Sequence, residues 1–226
     1  MMFNADSSLL RLLQLVSPAL PVGAYAYSQG LEHAVAEGWV HDERSAGQWM
    51  TGVAHHTLCH LDLPVFGRLH AAWRAGDHAA VVYWNRCLYA SRESAELQLE
   101  DRQLALALAR LLSELGMDEA SQWRDHRGVC FATLFSLAAA RWSIDVDAAA
   151  CGYLWAWWEN QTAAAIKLVP LGQTAGQRIL SSAVQRIPDL VREALSVDDE
   201  DIGAVAPALA IGSARHEVQY SRMFRS

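Results

Sequence analysis

With 226 residues, 52% of them hydrophobic and 19% charged, the chain can bury a sizeable core as one domain or as two tightly fused halves. A net charge of −7, a pI near 5.7 and the lack of any basic stripe argue against a nucleic-acid binder. Cys59, Cys87, Cys130 and Cys151 are scattered and form no C-x-x-C pair, so neither a disulfide framework nor a zinc ribbon is signalled, and a reducing, cytoplasmic setting is predicted.

The opening "MMFNADSSLL" lacks the basic and apolar regions of a secretory signal. Leu9, Leu12, Leu13 and Val16 recur at helical spacing and predict a first helix over about 7–16. In "LVSPALPVGAYAYSQGLEHAV" that follows, Pro18, Pro21 and Gly23 predict a turn, and Tyr27, Leu31 and Val35 predict a helix over about 26–37 that ends at Gly38. Tyr27 is expected mainly inside and Tyr25 nearer an interface. Gly30 falls within that helix, where glycine costs about 1 kcal/mol relative to alanine, so another backbone is expected to pass close to it.

Further helices are predicted over about 43–61, 64–75, 78–91 and 92–115, with Pro64 in a first turn, Asp77 as an N-cap and Gly116 as a terminator. A helix over about 120–141 contains "VCFATLFSLAAA", which Arg127 and Arg141 close off well short of the roughly 18 residues of a membrane span. The last helices are predicted over about 147–168, capped by Asp147, and over about 172–185, 188–196 and 202–219, with Pro188 opening one of them and acidic "VDDED" as a capping loop. Period-two alternation is absent. The reading is an all-α, single-domain bundle of about ten helices over 1–226, with 213–226 as an interaction tail.

Three groups invite chemistry. "HHTLCH" puts His56 and His60 at i and i+4 with Cys59 nearby, spacing that holds zinc or nickel, yet no third or fourth ligand is visible; a polar helix face is the plainer reading. Lys167 is the single lysine beside seventeen arginines and would suit a Schiff base, but a cation in a last helical turn is also what the helix dipole favours. Glu93 and Glu96 beside Arg92 have the spacing of an acid/base pair and equally of a salt-bridged helix face. Neither nucleotide-binding glycine loop occurs. The C-terminal "SARHEVQYSRMFRS" is instead rich in arginine and aromatic residues, the types that anchor interfaces.

Four segments together resemble the UreF family of urease accessory proteins: "LLQLVSPALPVGAYAYSQGLE" (12–32), "SRESAEL" (91–97), "KLVPLGQTAGQ" (167–177) and "SARHEVQYSRMFRS" (213–226). Ala26 stands where the family often has Ser, Ser94 where Thr is usual, and Leu104 where a small residue is common. The resemblance implies an all-helical protein, often a dimer, that joins UreD (also called UreH) and the GTPase UreG to activate the urease apoprotein. UreG delivers nickel as GTP is hydrolysed, and the UreF-like subunit bridges the others, gates UreG and helps form a passage for the metal. It is implied to be no enzyme, with no cofactor and no resident metal. On the matched segments, partner binding is expected at Tyr25, Tyr27, Ser28, Glu32, Lys167, Gln173, Gln177, Arg215, His216, Glu217, Tyr220, Arg222, Phe224 and Arg225. The competing reading is a helical metal binder using His55, His56, Cys59 and His60. Too little apolar surface lies in 216–226 to form a core, so its deletion is expected to spare the fold and abolish assembly.

Overall fold

The computed structural model describes residues 7–204 and 206–226, and among these only helices, turns and loops occur. Helix α1 (Ser7–Leu15) packs through Leu12 and Leu15, leaving Leu9, Leu10 and Leu13 exposed. The helix expected over 26–37 does not form as one piece. A single 3-10 turn (Ala24–Ala26) gives way to extended Tyr27, then Gln29 and Gly30 both take positive φ (51° and 75°), and α2 (Leu31–Ala36) starts only after them. Gly30 is therefore an N-cap and not a mid-helix residue. The close backbone expected of it is present, because a Cβ there would lie 3.2 Å from the Ser213 nitrogen. Gly30→Ala combines that contact with a left-handed backbone, and a loss of about 1–3 kcal/mol in urea denaturation is the expected outcome.

Residues 43–75, predicted as two helices, make one continuous rod. Asp42 caps α3 (Glu43–Val53) by accepting from the Ser45 backbone at 2.7 Å while Ser45 Oγ accepts from the Asp42 backbone, a reciprocal box. A π-helical stretch (Ala54–Asp62) then runs straight into α4 (Leu63–Ala75). Pro64 has no N–H to give the carbonyl of His60, four residues back, and Gly203 donates to that carbonyl instead at 3.0 Å. This outside donor helps Pro64 sit inside the rod.

Helix α5 (His78–Ala90) carries the Asp77 cap as predicted, and α6 (Ala95–Glu114) starts one residue after its cap, Ser94. The helix expected over 120–141 divides into α7 (Asp118–Ser121) and α8 (Phe131–Arg141), and the Asp101 carboxylate receives the Phe131 N–H at 2.5 Å to start the second piece. Helix α9 (Val146–Leu168) is preceded by Asp145, so Asp147 belongs to its first turn and not to its cap. Helix α10 (Gln173–Leu195) continues through Pro188, which sits exposed with Val184 on the outer face; there the carbonyl left without a donor has water at hand. The acidic run forms a 3-10 turn (Asp199–Asp201), and α11 (Pro207–His216) replaces the long final helix.

The core is contiguous. Helix α9 is apolar nearly all round, with Tyr153, Leu154, Trp158 and Ala165 buried, and it occupies the middle against α10, α8 and α4. Among the described residues no helix is long and apolar enough to cross a membrane.

Candidate functional site

The tail segment does not hang free. Ser213 of α11 shares a 2.6 Å hydrogen bond with the Ser94 hydroxyl, where the backbone of Gly30 meets that of Gly212. From there residues 216–226 turn back between α2 and α6 and close a clasp made mainly of carboxylates. His216 is wholly buried, its Nδ1 2.8 Å from Glu96 and its Nε2 3.2 Å from Glu32. Both ring nitrogens thus face carboxylate oxygens. Glu32 also receives the backbone N–H groups of Met223 (2.7 Å) and Phe224 (2.8 Å), and Glu96 receives Arg222 at 2.9 Å.

Ser226 is held as firmly. Its carbonyl accepts from both the backbone N–H (2.7 Å) and the hydroxyl (2.6 Å) of Ser28, and its hydroxyl donates to Glu100 at 2.6 Å. Gln29 bridges onward, donating to Glu100 at 2.8 Å and accepting from the Trp157 indole at 2.6 Å. Lys167 lies 5.5 Å above the Phe224 ring, within cation–π range. All four segments that carry the family resemblance thus meet at one place.

The predicted site residues divide in two. Tyr27, Ser28, Glu32, His216 and Phe224 are buried about the clasp, so in this conformation they cannot themselves touch a partner; Tyr25 is exposed. Lys167, Arg215, Glu217, Tyr220, Arg222 and Arg225 face outward, with Tyr220 fully exposed. Gln173 and Gln177 are also exposed, on the first turns of α10 and outside the hydrogen-bonded clasp. Outward-facing Val218, and inward Glu100, Gln29 and Trp157, were not singled out from sequence; Met223, part of the arginine- and aromatic-rich tail, also faces outward. Glu100 was legible, since it stands at i+4 from Glu96 on the same helical face.

Glu100 is pushed up to about 7 from the ordinary 4.5, because burial outweighs the lowering by Ser226 and Gln29. The folded state holds this proton more tightly than the unfolded chain, so stability falls as pH rises from about 4.5 through 7, by on the order of 3 kcal/mol. Glu100→Gln stays neutral throughout. Denaturant melts at pH 5.5 and pH 8 should show a smaller difference between the two pH values in this variant than in the parent.

Beside the clasp, Arg92 forks onto both oxygens of Asp62 (2.6 and 3.1 Å) and onto Asp101 (2.8 Å). Burial opposes the charge of Arg92, but the two carboxylates outweigh it and push its titration upward. The Glu93/Glu96 pair considered from sequence is not formed, because Glu93 is exposed and Glu96 is turned into the clasp.

The histidine run also departs from expectation. In a π-helix i and i+5 come together, so His55 meets His60 edge-on, with ring centres 5.2 Å apart, and both approach Glu193 at 3.7 and 3.9 Å. His56 is exposed, whereas Cys59 is buried against the Leu190 carbonyl with its thiol pushed up to about 11, chiefly by burial. The three imidazoles are neighbours, with the His55 and His56 ring centres 4.9 Å apart, while the Cys59 thiol is turned to the Leu190 carbonyl. Among the described residues no group of three or more His, Cys, Asp or Glu side chains is arranged to hold a metal ion.

A family profile described as UreF matches residues 40–184. Over 216 residues the chain is 50% identical to the urease accessory protein UreF of Alkalilimnicola ehrlichii, covering 96% of this chain and 95% of that one. The urease accessory protein UreF of Teredinibacter turnerae is 50% identical over 98% of this chain and 100% of its own length, and that of Hahella chejuensis 47% identical over 97% and 98%. These matches extend beyond the span of the profile to nearly the whole chain, and with them the chain is a member of the UreF family.

Proposed function

We propose that this protein acts in urease maturation as a cytoplasmic, non-enzymatic scaffold that bridges UreD/UreH and the GTPase UreG on the urease apoprotein and regulates GTP-dependent nickel insertion. Its relatives are named urease accessory proteins, which supports the coarser statement of a role in urease maturation. The bridging role rests on a single observation: a tail pinned by buried carboxylates presents Tyr220, Met223 and Val218 to solvent, with Tyr25 exposed on the stretch it docks against. Exposed aromatic and methionine side chains on a rigid support suit the centre of an interface, where ordering them costs little at the moment of binding. Binding is the chemistry such a surface suits.

The reading is tested by co-expressing the chain with a UreD and a UreG and sizing the product. A complex containing all three is expected, and Tyr220→Ala with Met223→Ala should weaken it at least ~30-fold while leaving the melting temperature within error, as loss of two interface anchors would. A chain that elutes alone sinks the bridging role.

A further inference from the structure

Helices α3 and α10 lie side by side and leave a cleft of about 800 Å³, floored by buried Trp158 and Ile179. Its carboxylates are already engaged: Asp42 caps α3, and Glu43 is forked by Arg178 at 2.8 and 2.5 Å. Two further lining guanidiniums have no ion-pair partner within 4.0 Å among the described residues, although the charge of Arg44 acts on Asp42. Arg44 and Arg186 are exposed, and Arg186 reaches Ser182 at 3.4 Å. On a chain of net charge −7 this wall is locally cationic.

Gly47 and Gly52 also line the cleft, inside α3, where each costs about 0.5–1 kcal/mol relative to alanine. Elsewhere the fold explains its helical glycines: a Cβ at Gly152 would lie 2.6 Å from Leu12, and one at Gly176 2.5 Å from Ile166. At Gly47 and Gly52 a Cβ would meet nothing within 4 Å. Among the described residues no contact requires glycine there, whereas a backbone arriving from outside would. Below them Trp158 is 1% exposed, and its indole nitrogen has no acceptor among the described residues. A buried donor left unmet costs about 1–3 kcal/mol.

We propose that the cleft between α3 and α10 docks an acidic segment of a partner protein, its carboxylates pairing with Arg44 and Arg186 and its main chain passing over Gly47 and Gly52. A lone oxyanion would answer the arginines, but not two open glycines separated by about 7.5 Å along the helix axis. A basic or neutral segment would leave both guanidiniums unanswered. The proposal rests on the reading that this protein works by binding other proteins.

The test places p-benzoylphenylalanine at Gln48, an exposed residue of the cleft wall that leaves both glycines in place, and in a second chain at Tyr220, each co-expressed with the urease apoprotein and its accessory proteins. After irradiation the crosslinked peptides are sequenced. The residue-48 probe is expected to attach to a segment of another protein holding more Asp and Glu than Lys and Arg. In an Arg44→Glu, Arg186→Glu background its yield should fall about tenfold, equivalent to about 1.4 kcal/mol, with melting temperature and residue-220 crosslinks unchanged. Attachment only to a second copy of this chain, to a neutral or basic segment, or at undiminished yield in the charge-reversed background overturns the proposal. So does no attachment at 48: if residue 220 still crosslinks, the cleft alone is wrong, and if neither does, the partner-binding reading falls with it.

Discussion

Arg92→Ala should lower the unfolding free energy by about 3–5 kcal/mol, the scale on which stripping one partner from a buried ion pair acts. The loss comes less from the contacts removed than from what stays behind. Asp62 and Asp101 are both buried, and without the guanidinium their negative charges face each other in the core. The damage spreads along the chain, because Asp62 ends the π-helical stretch and Asp101 starts α8 through the Phe131 N–H. Arg92→Lys keeps the charge but not the fork that grips three oxygens, so it should fall between parent and alanine variant. Urea denaturation of the three proteins decides this. A loss under about 1 kcal/mol for the alanine variant would mean that the two aspartates take up a proton or water and do not need the arginine.

Removing residues 216–226 is expected to cost at least ~3 kcal/mol, and not to spare the fold as the sequence suggested, because it strips donors from buried carboxylates. Glu32 would lose Met223, Phe224 and His216, Glu96 would lose His216 and Arg222, and Glu100 would lose Ser226. The same deletion takes away the exposed Tyr220 and Met223, so loss of assembly by itself does not distinguish a broken scaffold from a missing anchor. A smaller change separates them. Glu32→Gln leaves every exposed tail residue in place but supplies a single acceptor oxygen, and it should lower the melting temperature and raise amide exchange over 216–226. If the deletion melted with the parent, the clasp would contribute nothing to the fold.

The helical class was legible because apolar residues recur every three or four positions almost throughout, and the caps at Asp77 and the stops at Gly38 and Gly116 follow from side-chain chemistry at single positions. The breaks were not. Gln29 carries no signal for positive φ, and without it Gly30 looks like a costly residue inside a helix. Pro64 and Pro188 were read as helix starts, since the remedy for their missing N–H lies outside the local sequence: Gly203 for one, an exposed outer face for the other. The site was half legible. The resemblance marked its four segments, but which side chains turn inward depends on partners up to 198 residues away, and no local pattern encodes that.

Because Ser28 waits for Ser226 and Glu32 for Phe224, the clasp also sets an order of events during synthesis. At about 5–20 residues per second, roughly 10–40 s pass between the emergence of α2 and that of the segment that covers it. Throughout that interval Glu32, Glu96 and Glu100 lack the donors that residues 216–226 supply, whatever the rest of the nascent chain has managed to bury. A product that stops after Glu100 and before residue 216 keeps this defect, a cluster of carboxylates without those donors beside the empty seat of Phe224. Closure of the clasp thus reports that translation has run through residue 226.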